Sequence, residues 1–199
     1  MFNLNFREFY FQYDKWIKLI IALFVISGVL GIVASFQYPD LMDRISQAFV
    51  EEFGENPPLD MNLAIQIFIQ NVTASLIAWL GGLLVGLTPI LVVLVNGFIL
   101  GYVVTFIVYS SQTYWDGLLL VTAGLIPHAI FELPAFLLAA ILGMKLGWDW
   151  MSDNARGARL VVLKHSFLNT SKYFLYVIGG LVIAAIVEVF VSGKLVSNL

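Results

Sequence analysis

Apolar residues in this chain run in long stretches, and the charged positions collect in the gaps between them. A bilayer core about 30 Å thick takes about 20 apolar residues per helical crossing. Four stretches meet that length, residues 16–36, 61–87, 89–109 and 173–191. A fifth, 115–147, would reach about 50 Å as one straight helix at about 1.5 Å per residue, too long for an upright crossing. Pro127 and Pro134 interrupt it. Backbone groups inside lipid must be satisfied within their own segment, so these runs must be helices. The pattern predicts an all-α integral membrane protein. It is a single domain over residues 1–199, a bundle of about five transmembrane helices. The fourth helix is long, broken at Pro127 and Pro134, and either kinked or re-entrant.

The gaps carry short amphipathic patterns. Leu41, Ile45, Phe49 and Phe53 recur every four residues, the stripe of a surface helix lying on the membrane interface. Asp40 stands where an N-cap belongs, and Gly54 ahead of Pro57-Pro58 where the helix should stop. Phe6, Phe9, Tyr10, Tyr13 and Trp16 form an aromatic face before the first crossing, and Trp148 and Trp150 follow the fourth. Such rings are expected at membrane interfaces.

Composition agrees with the pattern: 60% of residues are hydrophobic and 12% charged, with a mean hydropathy of +0.92. A soluble domain carries about twice that share of charge. The net charge of −3 matters less than its distribution. Loop 37–60 and the residue after it hold Asp40, Asp43, Glu51, Glu52, Glu55 and Asp60 against one Arg44. Around loop 148–172, Lys145, Arg156, Arg159, Lys164 and Lys172 outweigh Asp149 and Asp153. Arg7, Lys15 and Lys18 against Glu8 and Asp14 tilt the N-terminal stretch the same way. Basic loops stay cytoplasmic. The expected protein is a multi-pass protein of the cell membrane with a cytoplasmic N-terminus, loop 37–60 outside, loop 148–172 inside and the C-terminus outside. That parity favours five crossings over six. The first apolar run leads past Ala34-Ser35-Phe36 into more helix and reads as an anchor, not a cleaved signal.

Within the apolar runs, small residues stand four apart: Ser27 and Gly31, Gly82 and Gly86, Gly97 and Gly101, Gly143 and Gly147. This spacing lets helix backbones approach closely. Packing within the bundle is the first reading, and a homo-oligomer, most simply a dimer, is the second. The polar positions are fewer. His128 and Glu132 are four apart and share a helix face between Pro127 and Pro134. A carboxylate within a bilayer needs a partner. Asn71, Asn96 and Glu188 on other helices are candidates to join His128 and Glu132 in one cluster.

Three roles stay open for that cluster: interhelical hydrogen bonding that fixes register, a path for a solute or ion, and metal or hydrolytic chemistry. The last is the weakest, since no His-Glu-x-x-His pattern is present and His165 belongs to loop 148–172. With no cysteine there is neither a disulfide nor a thiolate ligand. No obvious nucleophile, phosphate loop or basic aromatic groove is present. The expectation is a non-enzyme with no catalytic residue, cofactor, metal or nucleic-acid partner. Its partners are the lipid bilayer, a second copy and other membrane or cell-envelope proteins.

One series of residues resembles a known family. Asn71, Gly81-Gly82 with Gly86, Asn96-Gly97 with Gly101, Pro127-His128 with Glu132-Leu133-Pro134, then Ala139-Ala140 and Gly143 are similar to the stage II sporulation protein M family. The resemblance covers roughly residues 71–147, and its most specific element is Pro-His-x-x-x-Glu. Ala129 stands where the family commonly has glycine. The resemblance implies a membrane subunit of a complex, which in spore formers includes cell-wall hydrolases, without established catalysis of its own. Relatives also occur in organisms that do not sporulate. The implied function is a membrane scaffold or complex subunit. The alternative is a small-solute or ion transporter working through His128 and Glu132.

Overall fold

A computed structural model of the chain describes all residues except 1–5, 55, 56, 85 and 153–156, together with the backbone only of residues 6–8. Glu55, Asp153, Arg156 and the side chains of Phe6, Arg7 and Glu8, read above for charge and aromatic patterning, lie outside the described residues. The described chain is helical throughout. In order it forms α1 (Phe6–Gln37), α2 (Leu41–Phe53), α3 (Met61–Leu80) with a 3₁₀ turn at Gly81–Leu83, α4 (Leu87–Ser110), α5 (Tyr114–Gly124), α6 (Ile126–Met151) and α7 (Arg159–Val187). A π-helical turn, Glu188–Ser192, then joins α7 to α8 (Gly193–Ser197). Among the described residues, five helical segments are long and apolar enough to cross a membrane: Phe9–Gln37, Met61–Leu83, Leu87–Ser110, Ile126–Met151 and Arg159–Ser197.

Glycine sets how these segments pack. A Cβ at Gly31 would collide with the Phe98 carbonyl, and one at Gly101 with the Gly28 carbonyl. Gly97 faces Ser27 and the Phe24 carbonyl. These contacts rise together along both helices, so α1 and α4 run parallel. In the same way Gly143 sits on the Ala78 carbonyl while Gly82 and Gly147 meet through the Gly82 carbonyl, so α3 and α6 also run parallel. Between α6 and α7 the order reverses. Gly180 lies against Ala135, and the Ser166 hydroxyl donates to Asp149 at 2.8 Å, so these two are antiparallel. The five segments therefore alternate in direction. Six of the seven glycines in the four-apart pairs (Gly31, Gly82, Gly97, Gly101, Gly143 and Gly147) are used inside one chain. The seventh, Gly86, serves the turn into α4: its φ of +72° is a conformation that favours glycine. The spacing that prompted the expectation of a dimer is thus taken up within the bundle.

Several boundaries differ from the sequence reading. Residues 115–147 are interrupted beside Pro127, as read, but not at Pro134. The helix breaks at Leu125, just ahead of Pro127, whose ring has no N–H for the Ala123 carbonyl and crowds it. On one side of the break, Gly117 packs against Val108 near the end of α4 and Gly124 against Val196 in α8. α5 therefore lies across the end of the bundle, and α6 alone has the length to span. Pro134 breaks nothing: α6 continues through it. The read loop 148–172 is mostly helix, since α6 runs on to Met151 and α7 starts at Arg159. Asp149 holds this junction, accepting from Lys145 at 2.6 Å and from Ser166. Loop 37–60 contains α2, which ends at Gly54 with φ +88° as expected, but Asp40 makes no side-chain cap. Asp60 instead caps α3, accepting from the Leu63 amide at 3.0 Å.

The N-terminal aromatics are also placed differently. Tyr13 is 1% exposed and Trp16 6%, both inside the main core with Phe9 packed against it. Only Tyr10 of that described group faces outward. α1 stays helical through this stretch, so residues three apart turn inward onto Tyr173 and Trp148 instead of forming a belt.

Candidate functional site

The polar cluster forms where the break at Leu125 meets the π turn at Glu188–Ser192. His128 and Glu132 occupy the first two turns of α6, about 3 Å and about 9 Å along it at 1.5 Å per residue. They are shallow in the bundle, near the end that carries α2. His128 is 8% exposed. Its Nδ1 lies 3.3 Å from the Ser192 hydroxyl, and its Nε2 3.9 Å from a Glu132 carboxylate oxygen. Glu188 enters from the last segment. One donor atom from each of His128, Glu132 and Glu188 lies within 4.8 Å of the others, the one such grouping among the described residues.

These side chains open into a cavity of about 410 Å³. Ile45, Phe49 and Phe53, three members of the α2 stripe, line it from above, along with Glu52. Gln70 and Asn71 of α3 line its side. Gln70 donates to Glu52 at 2.8 Å and so ties α2 to α3. The α2 stripe thus covers the polar cluster. Tyr102 secures the chain entering α2: it is fully buried, and its hydroxyl donates to the Tyr38 carbonyl at 2.7 Å.

Four of the five residues read as a cluster share this cavity: His128, Glu132, Glu188 and Asn71. Asn96 does not. It is exposed, and its amide donates back to the Val92 carbonyl at 2.8 Å. Its neighbour Gly97 takes the face that packs on α1, and a residue one position along a helix points about 100° away. Ser192 lies one residue beyond the last apolar run of the sequence, 173–191. Its spacing of four from Glu188 is the signal that would have found it.

Beyond Glu132 the interior changes character. From Ala135 to Met144, α6 buries Ala135, Phe136, Ala139, Ala140, Ile141, Leu142, Gly143 and Met144 against Phe174, Val177 and Leu181. No Asp, Glu, Lys, Arg or His lies between Glu132 and Lys145 on α6, or between Lys172 and Glu188 on the last segment. That interval is about 20 Å of helix. Polar bonding resumes at the far end, where buried Trp79 donates from its ring nitrogen to Thr170 at 3.1 Å, stacked between Phe167 and Phe174.

Comparison with known proteins gives the chain a family. The chain is similar to an uncharacterized protein of Methanocaldococcus jannaschii, 24% identical over 186 residues that cover 92% of this chain and 97% of that one. No solved structure matches. The family model described as Stage II sporulation protein M matches residues 20–193, which takes in most of the first apolar segment, the break at Leu125, the His128–Glu132 pair and the π turn. On that coverage the chain belongs to the stage II sporulation protein M family.

Proposed function

We propose that the chain is a non-catalytic membrane subunit that crosses the bilayer five times and presents a polar pocket toward one face only, as an attachment point within a larger complex. The observation carrying this reading is the stretch of about 20 Å on α6 and on the last segment that holds no ionisable residue between the pocket and the far end of the bundle. A transporter of ions or polar solutes needs a polar path and commonly binds at the bilayer midplane between broken helices. Here the polar groups sit near one end, and the glycine-to-carbonyl contacts of α1 with α4 and of α3 with α6 favour a rigid body over rocking halves. The charge pattern orients the molecule, with the α2 end outside and the junction of α6 with α7 in the cytoplasm. The complex-subunit role is the one implied by the family resemblance.

The test is flux. Purified chain reconstituted into liposomes with an internal pH dye and an imposed potassium gradient is expected to leak protons and cations at the rate of empty liposomes. Flux above that background that Glu132→Gln abolishes would overturn the subunit reading in favour of transport.

A further inference from the structure

We propose that His128, Glu132 and Glu188 bind a divalent transition-metal cation, reached from the cavity beneath α2. The proposal uses the same pocket as the reading above but does not depend on the subunit role.

Three features of the site point to a cation. The first is the spacing. Imidazole nitrogens and carboxylate oxygens bind such ions at about 2.0–2.2 Å, so donors around one ion stand about 3–4 Å apart. His128 Nε2 and the Glu132 oxygen are already at 3.9 Å, and Glu188 completes a set spanning no more than 4.8 Å. Small side-chain rotations close that gap.

The second is the orientation of the imidazole. His128 is nine-tenths buried, and its Nε2 lies 3.9 Å from the Glu132 carboxylate. Its other nitrogen lies beside the Ser192 hydroxyl. Metal-binding histidines are typically held in this way: an outer partner accepts from one ring N–H and leaves the lone pair of the other nitrogen facing the ion. One π turn brings Glu188 and Ser192 to the same ring, and π turns concentrate at functional sites.

The third is the charge balance. Two carboxylates converge among Phe53, Ile67 and Ile99, and no Lys or Arg lines the cavity. Converging carboxylates in such surroundings require a proton or a cation between them. The imidazole favours a transition metal over magnesium or calcium, which take oxygen ligands. The donors come from one His and two Glu, with the cavity left for water to fill the remaining positions.

The test uses the full-length chain in mild detergent, stripped with a chelator, equilibrated with Zn²⁺ and desalted, with bound zinc measured by mass spectrometry. About one zinc per chain is expected. Glu188→Gln and His128→Gln should each weaken binding by about tenfold or more, measured against a competing chromophoric chelator. Glu51→Gln and His165→Gln, at exposed positions outside the pocket, should leave it unchanged. Each variant is checked for monodispersity and thermal midpoint. X-ray absorption of the zinc-loaded unmodified chain adds a readout that no variant's folding can confound, and should show one imidazole among oxygen ligands. Less than about half a zinc per chain, equal binding by both pocket variants, or a shell without imidazole would each overturn the site.

Discussion

Around Gly82 and Gly143, α3 and α6 touch backbone to backbone, whereas at the α2 end Glu132 and Glu188 face each other across a cavity. The same helix, α6, serves both regions. Its Gly143 and Gly147 leave no space for a methyl group, and its His128 and Glu132 leave room for a ligand. Close packing of small residues is the main source of helix association where lipid offers no hydrophobic drive. Unpaired carboxylates contribute nothing comparable and are costly inside a bilayer. The difference separates the part of the bundle that holds the fold from the part that keeps chemistry available. Its basis is residue size at one end and ionisable groups at the other.

Substitutions should divide along that line. The largest effect is expected for Gly143→Leu, whose side chain would enter the Ala78 carbonyl. Overpacking costs about 1–3 kcal/mol and occasionally more. The thermal midpoint of the purified chain should drop steeply or the folded species be lost, while Gly179→Ala, with open space at its Cβ, should leave it level or raised. A level midpoint for Gly143→Leu would remove the packing side of the comparison. A smaller loss is expected for Thr170→Val, which keeps the shape but leaves the buried Trp79 ring nitrogen without its acceptor. An unsatisfied buried donor costs about 1–3 kcal/mol. Thermal unfolding followed by tryptophan fluorescence should register it, and an unchanged midpoint would mean that this end is held by ring stacking alone.

How much of this was legible in the sequence depended on the scale of the signal. The five long segments and the α2 stripe with its stop at Gly54 could be read, because run length and four-residue spacing report directly on lipid and on a helix face. The pairing of His128 with Glu132 was legible for the same reason. Asn96 was misplaced because depth in an apolar run does not tell which way a side chain turns. Gly97 beside it claims the packing face. The start of α7 looks like loop in the sequence because Arg159, Lys164 and His165 lower its hydropathy, although Ser166 and Thr170, buried between α7 and its neighbours, make it part of the bundle. The covering of the cavity by α2 depends on Gln70 meeting Glu52, a contact 18 positions apart that local spacing does not reveal.

The claim that the polar pocket opens to one face can be tested directly because the chain contains no cysteine. Asn71→Cys places a single thiol on the cavity wall, with Glu51→Cys in α2 and Lys164→Cys in α7 as markers for the two ends. Each variant is exposed to a membrane-impermeant maleimide in right-side-out and in inverted vesicles. Asn71→Cys should react only in the preparation where Glu51→Cys reacts, and not where Lys164→Cys does. Labelling of Asn71→Cys in the Lys164 preparation, or in both, would contradict the one-sided pocket.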